Sequence, residues 1–307
     1  MSQIEMVFFL EASVRLGIPL ALAALGETIT QRSGVINIGL EGSIIAGALG
    51  GAMGALAFES AGVGVVAGAL AGLAVALVFA AFAVGLGVDQ IITGTAVTIG
   101  GLGLTGAIYQ ASFGVTGTAL SLPTLAPLDI PLLSQIPVIG SPLFGQAPTA
   151  YLAYLLAPAL WYFLYRTAPG LELRAVGEAP DAAQAAGVRV LRVRFLATLF
   201  GGALAGIAGA HLSLAHAGTF AEGMSAGKGF IAIAVVALGR WNPALVLFAA
   251  LFFGGTSALQ FFLQALGLDV PYQLFLAFPY VLTLAALAGW MGSSRAPASL
   301  ALPWERK

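Results

Sequence analysis

Cysteine is absent from the 307-residue chain. This excludes a disulfide framework, thiolate zinc sites and thiol chemistry. Charge is scarce too: Asp, Glu, Lys and Arg make up 8% of residues, against about 25% in soluble domains. A chain of this size cannot solvate its surface with so few charges, so it is expected to live in a membrane. A net charge of −1 leaves no basic footprint for nucleic acid. The only histidines, His211 and His216, lie in an apolar run at a spacing that does not share one helical face, so no metal site is expected. No Ser-His-Asp or paired-carboxylate arrangement offers itself for catalysis, which argues against an enzyme. The N-terminal stretch Met1–Leu10 lacks a basic start and a small-residue cleavage site. The first apolar run should therefore stay as a span rather than be removed as a signal peptide.

What is abundant is hydrophobicity, 59% of residues. Long runs free of Asp, Glu, Lys and Arg cover Ser60–Val88, Gln90–Leu128, Ile130–Tyr165, Phe195–Ala221, Trp241–Leu268 and Val270–Ser294. About 20 apolar residues suffice to cross the hydrocarbon core as helix. The runs predict an all-α polytopic bundle forming a single domain, 1–307. Its helices are expected at Met6–Leu25, Ile38–Ala57, Ala61–Leu86, Gln90–Tyr109, Thr149–Tyr165, Phe195–Ala217, Phe230–Leu238, Pro243–Leu266 and Pro271–Met291, about nine elements within a range of eight to ten. Glycine pairs four apart, such as Gly47/Gly51, Gly68/Gly72 and Gly202/Gly206, predict close helix–helix approach.

Orientation follows from the cations. Five of the twelve Lys and Arg residues fall between Arg166 and Arg194, so loop 166–194 should be cytoplasmic, together with the tail bearing Arg295, Arg306 and Lys307. Loop 111–148 has no Lys or Arg and carries six prolines. It should face outward, which places the N-terminus outside as well.

Inside the cytoplasmic loop, Glu178–Gly187 reads as an isolated helix. Pro180 suits the first turn, Asp181 complements the positive end of the helix dipole and Gly187 suits the stop. About two turns of helix are marginal in water and need a surface to pack on, so the segment reads as a docking element.

Three polar clusters interrupt the apolar pattern. Gly26–Gly42 holds Glu27, Arg32, Asn37 and Glu41, yet keeps Ile29, Val35, Ile36, Ile38 and Leu40, which a solvated loop would not need. A broken helix dipping into the bilayer is expected, with Asn37 and Glu41 sharing a face at i,i+4 and with Glu27 and Arg32 able to neutralise one another. A carboxylate at such depth marks a partner or a pathway. Asp89–Thr98 opens a helix with Gln90, Thr93, Thr95 and Thr98, which either back-bond to their own carbonyls or line a polar wall. Gly223–Phe230 contains Gly227-Lys228-Gly229 but has one residue too few between its glycines and no Ser or Thr after Lys228, so no nucleotide site is expected. The run Phe230–Leu238 is too short to span and reads as a half-helix, a counterpart of the break at Gly26–Gly42. Broken helices and an intramembrane Glu would also suit an ion-coupled secondary transporter, a reading that leaves the docking helix unexplained.

The segment Ala24–Gly42 resembles the signature of permease subunits of bacterial ABC importers, in the branch that handles branched-chain amino acids, ribose and nucleosides. It is most similar to the nucleoside (simple-sugar-like) permeases. Leu173–Gly187 is similar to the cytoplasmic coupling segment of that family, and Gly229–Pro243 to a third family block. The resemblance covers Gly17 to about Gly292. It implies a multi-pass protein of the bacterial inner membrane that pairs with a second permease, often an unlike chain. It also implies two cytoplasmic ATPases that bind ATP and magnesium in place of this chain, and an external substrate-binding protein. Carried over by position, Gly177, Glu178, Ala179, Pro180, Asp181, Ala182, Ala183, Gln184, Ala185, Ala186 and Gly187 would transmit the ATPase stroke. Asn37, Glu41, Gln90, Thr93 and Thr95 would be candidates for the pathway wall, and the cargo a nucleoside or related ribose-containing solute. Branched-chain amino acids and simple sugars remain the alternatives.

Overall fold

A computed structural model describes residues 3–114, 120–265 and 296–304, with residues 273, 274, 277, 281, 282 and 285 between the last two ranges. Apart from those six residues, the expected helix at Pro271–Met291 lies outside the described residues, as do Arg295, Arg306 and Lys307.

Helix formation follows the apolar runs. The helices are α1 (Gln3–Arg32), α2 (Leu40–Phe58), α3 (Ala61–Ala80), α4 (Gln90–Phe113), α5 (Gly140–Phe144), α6 (Pro148–Arg166), α7 (Ala168–Glu178), α8 (Pro180–Ala185), α9 (Val190–His211), α10 (Lys228–Leu238) and α11 (Pro243–Ala265). Short π-helical turns extend α3 through Gly85 and α9 through Ala217. Among the described residues, six helices are long and apolar enough to cross a membrane: α1, α2, α3, α4, α9 and α11. The expected count of about nine is therefore not reproduced. α6 is apolar but falls outside that set, and α10, at about 1.5 Å per residue, is only about half the length of a bilayer core.

The first boundary differs most from expectation. α1 does not stop at Leu25 but runs on to Arg32, because its polar residues find partners inside the bundle. Thr28 donates to Ala24 O at 2.7 Å, and Thr30 donates to Ala197 O on α9 at 3.1 Å. The helix ends on Gly34, whose φ of +90° lets its amide reach Gln31 O while Val35 N reaches Thr30 O. This is the double turn-back of a Schellman motif. The break is thus Ser33–Gly39, and Asn37 lies in it rather than one turn below Glu41 on a shared helix.

The core is built on glycine. α2, α3 and α9 pack so closely that a Cβ on Gly47 would strike the Gly206 main chain. One on Gly72 would strike Gly202 and Gly206, and one on Gly209 would strike Ile44 O. A second seam joins α1 to α11, where Gly254 abuts Ser13 and Gly17. Such contacts replace side-chain interdigitation where lipid offers no hydrophobic drive to associate.

The two ends of the bundle differ. At one end, β1 (Leu128–Asp129) and β2 (Gly145–Gln146) form a small antiparallel pair, Leu128 opposite Gln146. Leu122 N and Leu125 N of the same loop bond the end of α9 at Gly218 O and Leu214 O, and Ser141 bonds Glu11 of α1. At the other end gather Arg32, the Ser33–Gly39 break, α7, α8, the start of α9 and residues 296–304. The proline-rich loop and the basic loop therefore occupy opposite ends, with the N-terminal half of α1 on the side of the former.

Candidate functional site

The break between α1 and α2 is the most polar place in the apolar bundle, and backbone amides freed there must find acceptors. Glu27, fully buried on α1, accepts from Asn37 N and from Gln31 Nε2, each at 3.0 Å. Gln90, at the start of α4, accepts from Ile36 N at 2.9 Å. Thr98, two turns further on, donates to Ile38 O at 3.0 Å. The break is thus held from α1 on one side and α4 on the other. Asp89 makes that possible by capping α4 with its Oδ1, which accepts from Ile91 N and Ile92 N at 2.9 Å each.

Glu41, just inside α2 and only 3% exposed, sends its carboxylate to the buried start of α10. It accepts from Gly227 N at 2.8 Å and from Gly229 N at 2.5 Å. Gly227 takes a φ of +80°, which turns the loop so that successive amides point at one anion. The half-helix therefore begins on a carboxylate supplied by another helix, where the positive end of its dipole favours negative charge. A side chain at Gly229 would collide with the Glu41 main chain, so the approach requires glycine there. Gly227-Lys228-Gly229 is an anion cradle after all, but its anion is internal.

Glu27 and Arg32 do not neutralise one another, contrary to the sequence reading. Arg32 instead donates to Trp241 O at 3.0 Å and to Tyr165 OH at 3.2 Å, while Trp241 Nε1 donates to Gln31 at 2.7 Å. The helix places Glu27 and Arg32 five residues apart, on different faces.

The five residues read as a pathway wall separate into groups. Gln90 and Glu41 spend their oxygens on backbone amides. Asn37 Oδ1 and Nδ2 and Thr93 Oγ1 are buried and make no hydrogen bond among the described residues. Thr95 is exposed and donates back to Ile91 O at 2.8 Å. It shares the open face of α4 with Ile91, Ile92 and Ile99. Threonine back-bonding and a polar role thus both occur, at different positions of one helix.

In the segment expected to dock, the chain turns twice. α7 is capped by Thr167, which accepts from Gly170 N at 3.2 Å, and α8 starts on Pro180. α8 ends as read from sequence: Gly187 has φ +89°, its amide bonds Gln184 O and Val188 N bonds Ala183 O, a second Schellman motif. Glu178, Ala179, Asp181, Ala182, Ala185, Ala186 and Gly187 are exposed, Pro180 and Gln184 half-exposed. Two members of the expected set face inward. Ala183 is buried with Val176 and Val190 against Trp304. Gly177 packs so tightly on Arg32 O that a side chain could not fit.

Sequence reasoning missed Arg194, which is 2% exposed at the start of α9. It donates to Ser33 O, Leu302 O and Ser299 Oγ at 3.2, 3.0 and 3.0 Å. Only its place at the very edge of the apolar run Phe195–Ala221 hinted that it was not one more surface cation. The pairing of Gln31 with Trp241, and of Ser299 with Gly177 and Arg194, carried no signal at all, because each pair is over 100 residues apart.

A family profile described as "Branched-chain amino acid transport system / permease component" matches residues 9–287. The guanosine ABC transporter permease protein NupQ of Bacillus subtilis is 35% identical over 93% of this chain and 92% of its own length. The nucleoside ABC transporter permease protein NupC of Lactococcus lactis is 33% identical over 91% and 90%. TsgC13 of Haloferax volcanii, provisionally named as a glucose ABC transporter permease protein, is 36% identical over 91% and 90%. No solved structure matches the chain significantly. With a family match across nearly the whole bundle, six candidate spans and relatives that are permeases rather than enzymes, the chain belongs to the permease-component family of branched-chain amino acid transport systems and is a multi-pass membrane permease subunit of an ABC transporter.

Proposed function

We propose that this permease forms half of the path through which an importer moves nucleosides or related ribose-containing solutes across the inner membrane. The observation that carries the cargo reading is that relatives named for guanosine and for nucleosides align over about nine-tenths of both chains. A polar, uncharged wall agrees with such a cargo. Asn37 and Thr93 keep donors and acceptors without partners among the described residues, and Thr95 lies on the open face of α4. Glu41 and Gln90 act one step back, fixing the backbone that borders the path. Glucose is the second reading, supported by the similarity to TsgC13. Its hydroxyls would ask for the same neutral hydrogen-bonding groups.

The chain works with a second permease, most simply an unlike one, whose docking would cover the apolar outer face of α4. Two ATPases dock on α7–α8 and hold ATP and magnesium. An external binding protein meets the loop around β1 and β2. The stroke enters at the surface offered by the exposed Ala182, Ala185, Ala186 and Gly187 and reaches the Ser33–Gly39 break. The path is opened by tilting helices around that break, with no covalent chemistry on this chain.

The test is uptake of labelled guanosine, glucose and leucine into proteoliposomes holding the full complex. Guanosine uptake that depends on ATP and on the binding protein is expected. Glucose-only or leucine-only uptake would overturn the cargo and leave the importer standing; uptake without any ATPase would overturn the importer.

A further inference from the structure

Residues 296–304 lie across the end of the bundle where the docking segment meets the α1–α2 break, and they touch both. Ser299 N bonds Gly177 O at 2.9 Å, and its hydroxyl donates to the same carbonyl at 2.7 Å. Ala298 N bonds Glu178 Oε2 at 3.2 Å, and Trp304 Nε1 bonds Asp181 at 2.9 Å. These contacts hold the docking segment. Toward the break, Ala301 N bonds Gly34 O at 3.2 Å. A side chain on Gly34 would strike the Ser299 hydroxyl and the Arg194 guanidinium.

Ser299 is the pivot. Its one proton goes to Gly177 O, and its lone pair accepts from Arg194 Nη2. Arg194 in turn holds Ser33 O at the C-terminal end of α1, where a cation matches the negative end of the helix dipole. A continuous chain of charge-assisted and neutral bonds therefore runs from α7–α8 through the strap to the first residue of the break. Among the described residues, Gly177 abuts the Arg32 carbonyl, at the end of α1, and Gly34 N, an approach that can push but carries no hydrogen bond with which to pull.

We propose that the strap and Arg194 position the docking segment on the α1–α2 break, so that its displacement by the ATPases moves Ser33–Gly39 in both directions. Ser299 and Arg194 are positioning residues and touch no solute. The proposal rests on the importer reading.

The experiment uses the complete complex in proteoliposomes and records guanosine uptake and ATP hydrolysis together. Ser299→Ala removes the pivot hydroxyl with little change in volume. With the subunits co-purifying in wild-type proportion, it should lower uptake per ATP roughly two- to tenfold, the weight of one or two hydrogen bonds. Ser299→Thr, which keeps the hydroxyl, should recover most of that ratio. Arg194→Gln should fall as far as Ser299→Ala, and the double variant little further, since both break one chain of bonds. If Ser299→Ala does not assemble, Trp304→Phe, which removes the exposed bond to Asp181 and keeps an aromatic ring on the Ala183 cluster, gives the same readout. An unchanged ratio of uptake to hydrolysis in the assembled variants, including a parallel fall of both, would overturn the strap. A wild-type complex that hydrolyses ATP without taking up any of the three solutes would instead overturn the importer reading.

Discussion

Glu41 shows how a carboxylate becomes tolerable in an apolar bundle. Two backbone amides and the start of α10 replace the water it gives up, and the geometry asks for an anion there. Glu41→Gln keeps one acceptor and loses the charge. It should fold but melt lower, by about 1–3 kcal/mol of stability, measured as the thermal midpoint of the purified subunit complex. Glu41→Leu leaves both amides bare and should cost roughly twice as much, with loss of assembled complex. Equal midpoints for wild type and Glu41→Leu would refute the capping role. From sequence, Glu41 was legible as buried and important, because no charge sits in an apolar run without reason. Its partner was not legible, since Gly227 and Gly229 contribute only main chain. Glu27 misled for the converse reason: Arg32 was the obvious counter-charge, yet helical geometry turned it toward Trp241 and Tyr165.

At the scale of the element, α8 is held by one alanine and presents the others. Ala182 is exposed while Ala183 is buried against Val176, Val190 and Trp304. Arginine has nearly the helix propensity of alanine, so effects must come from bulk and charge. Ala182→Arg should leave the permease folded and its uptake reduced at least tenfold through lost docking, a loss of about 1.4 kcal/mol or more in coupling. Ala183→Arg should instead lower the yield of folded protein, because a long cation cannot be accommodated in that small cluster. Binding of the ATPases to each purified variant separates the two; normal docking of Ala182→Arg would sink the docking assignment. Local signals made α8 readable: Pro180 starts it and Gly187 stops it. They failed at α1, where Gly26 looked like a terminus. There Gly26 serves instead as a close-packing residue against Gly201, and tertiary partners carried the helix another turn and more. The half-helix α10 was legible from length alone.

For the whole molecule, the opposite placement of the two loops makes sidedness testable. The chain has no cysteine, so each introduced thiol reports alone. Leu132, 82% exposed beside β1, and Ala185, exposed on α8, are suitable sites. In intact cells a membrane-impermeant maleimide should label Leu132→Cys and reach Ala185→Cys only after permeabilisation. The reverse pattern would invert the topology and remove α7–α8 from contact with any cytoplasmic ATPase. The basic loop and the proline-rich loop were legible because charge and proline are properties of composition. The joining of residues 299–302 to the first break was not legible, since no periodicity or motif records a contact between Ser299 and Arg194.

The glycine seam among α2, α3 and α9 bears on thermodynamics across the membrane. Backbone packed on backbone cannot slide by one residue without driving a neighbouring side chain into a carbonyl, which opposes independent sliding of the three helices. α9 begins at Val190 beside α7 and α8 and ends, roughly 40 Å away at the usual rise, on the loop bonded through Leu214 O and Gly218 O. Were an external protein and inner ATPases to bind at its two ends, reciprocity would apply: whatever factor one applied to the affinity of the other would be returned. Their coupling would then be one free energy, obtainable by titrating either partner.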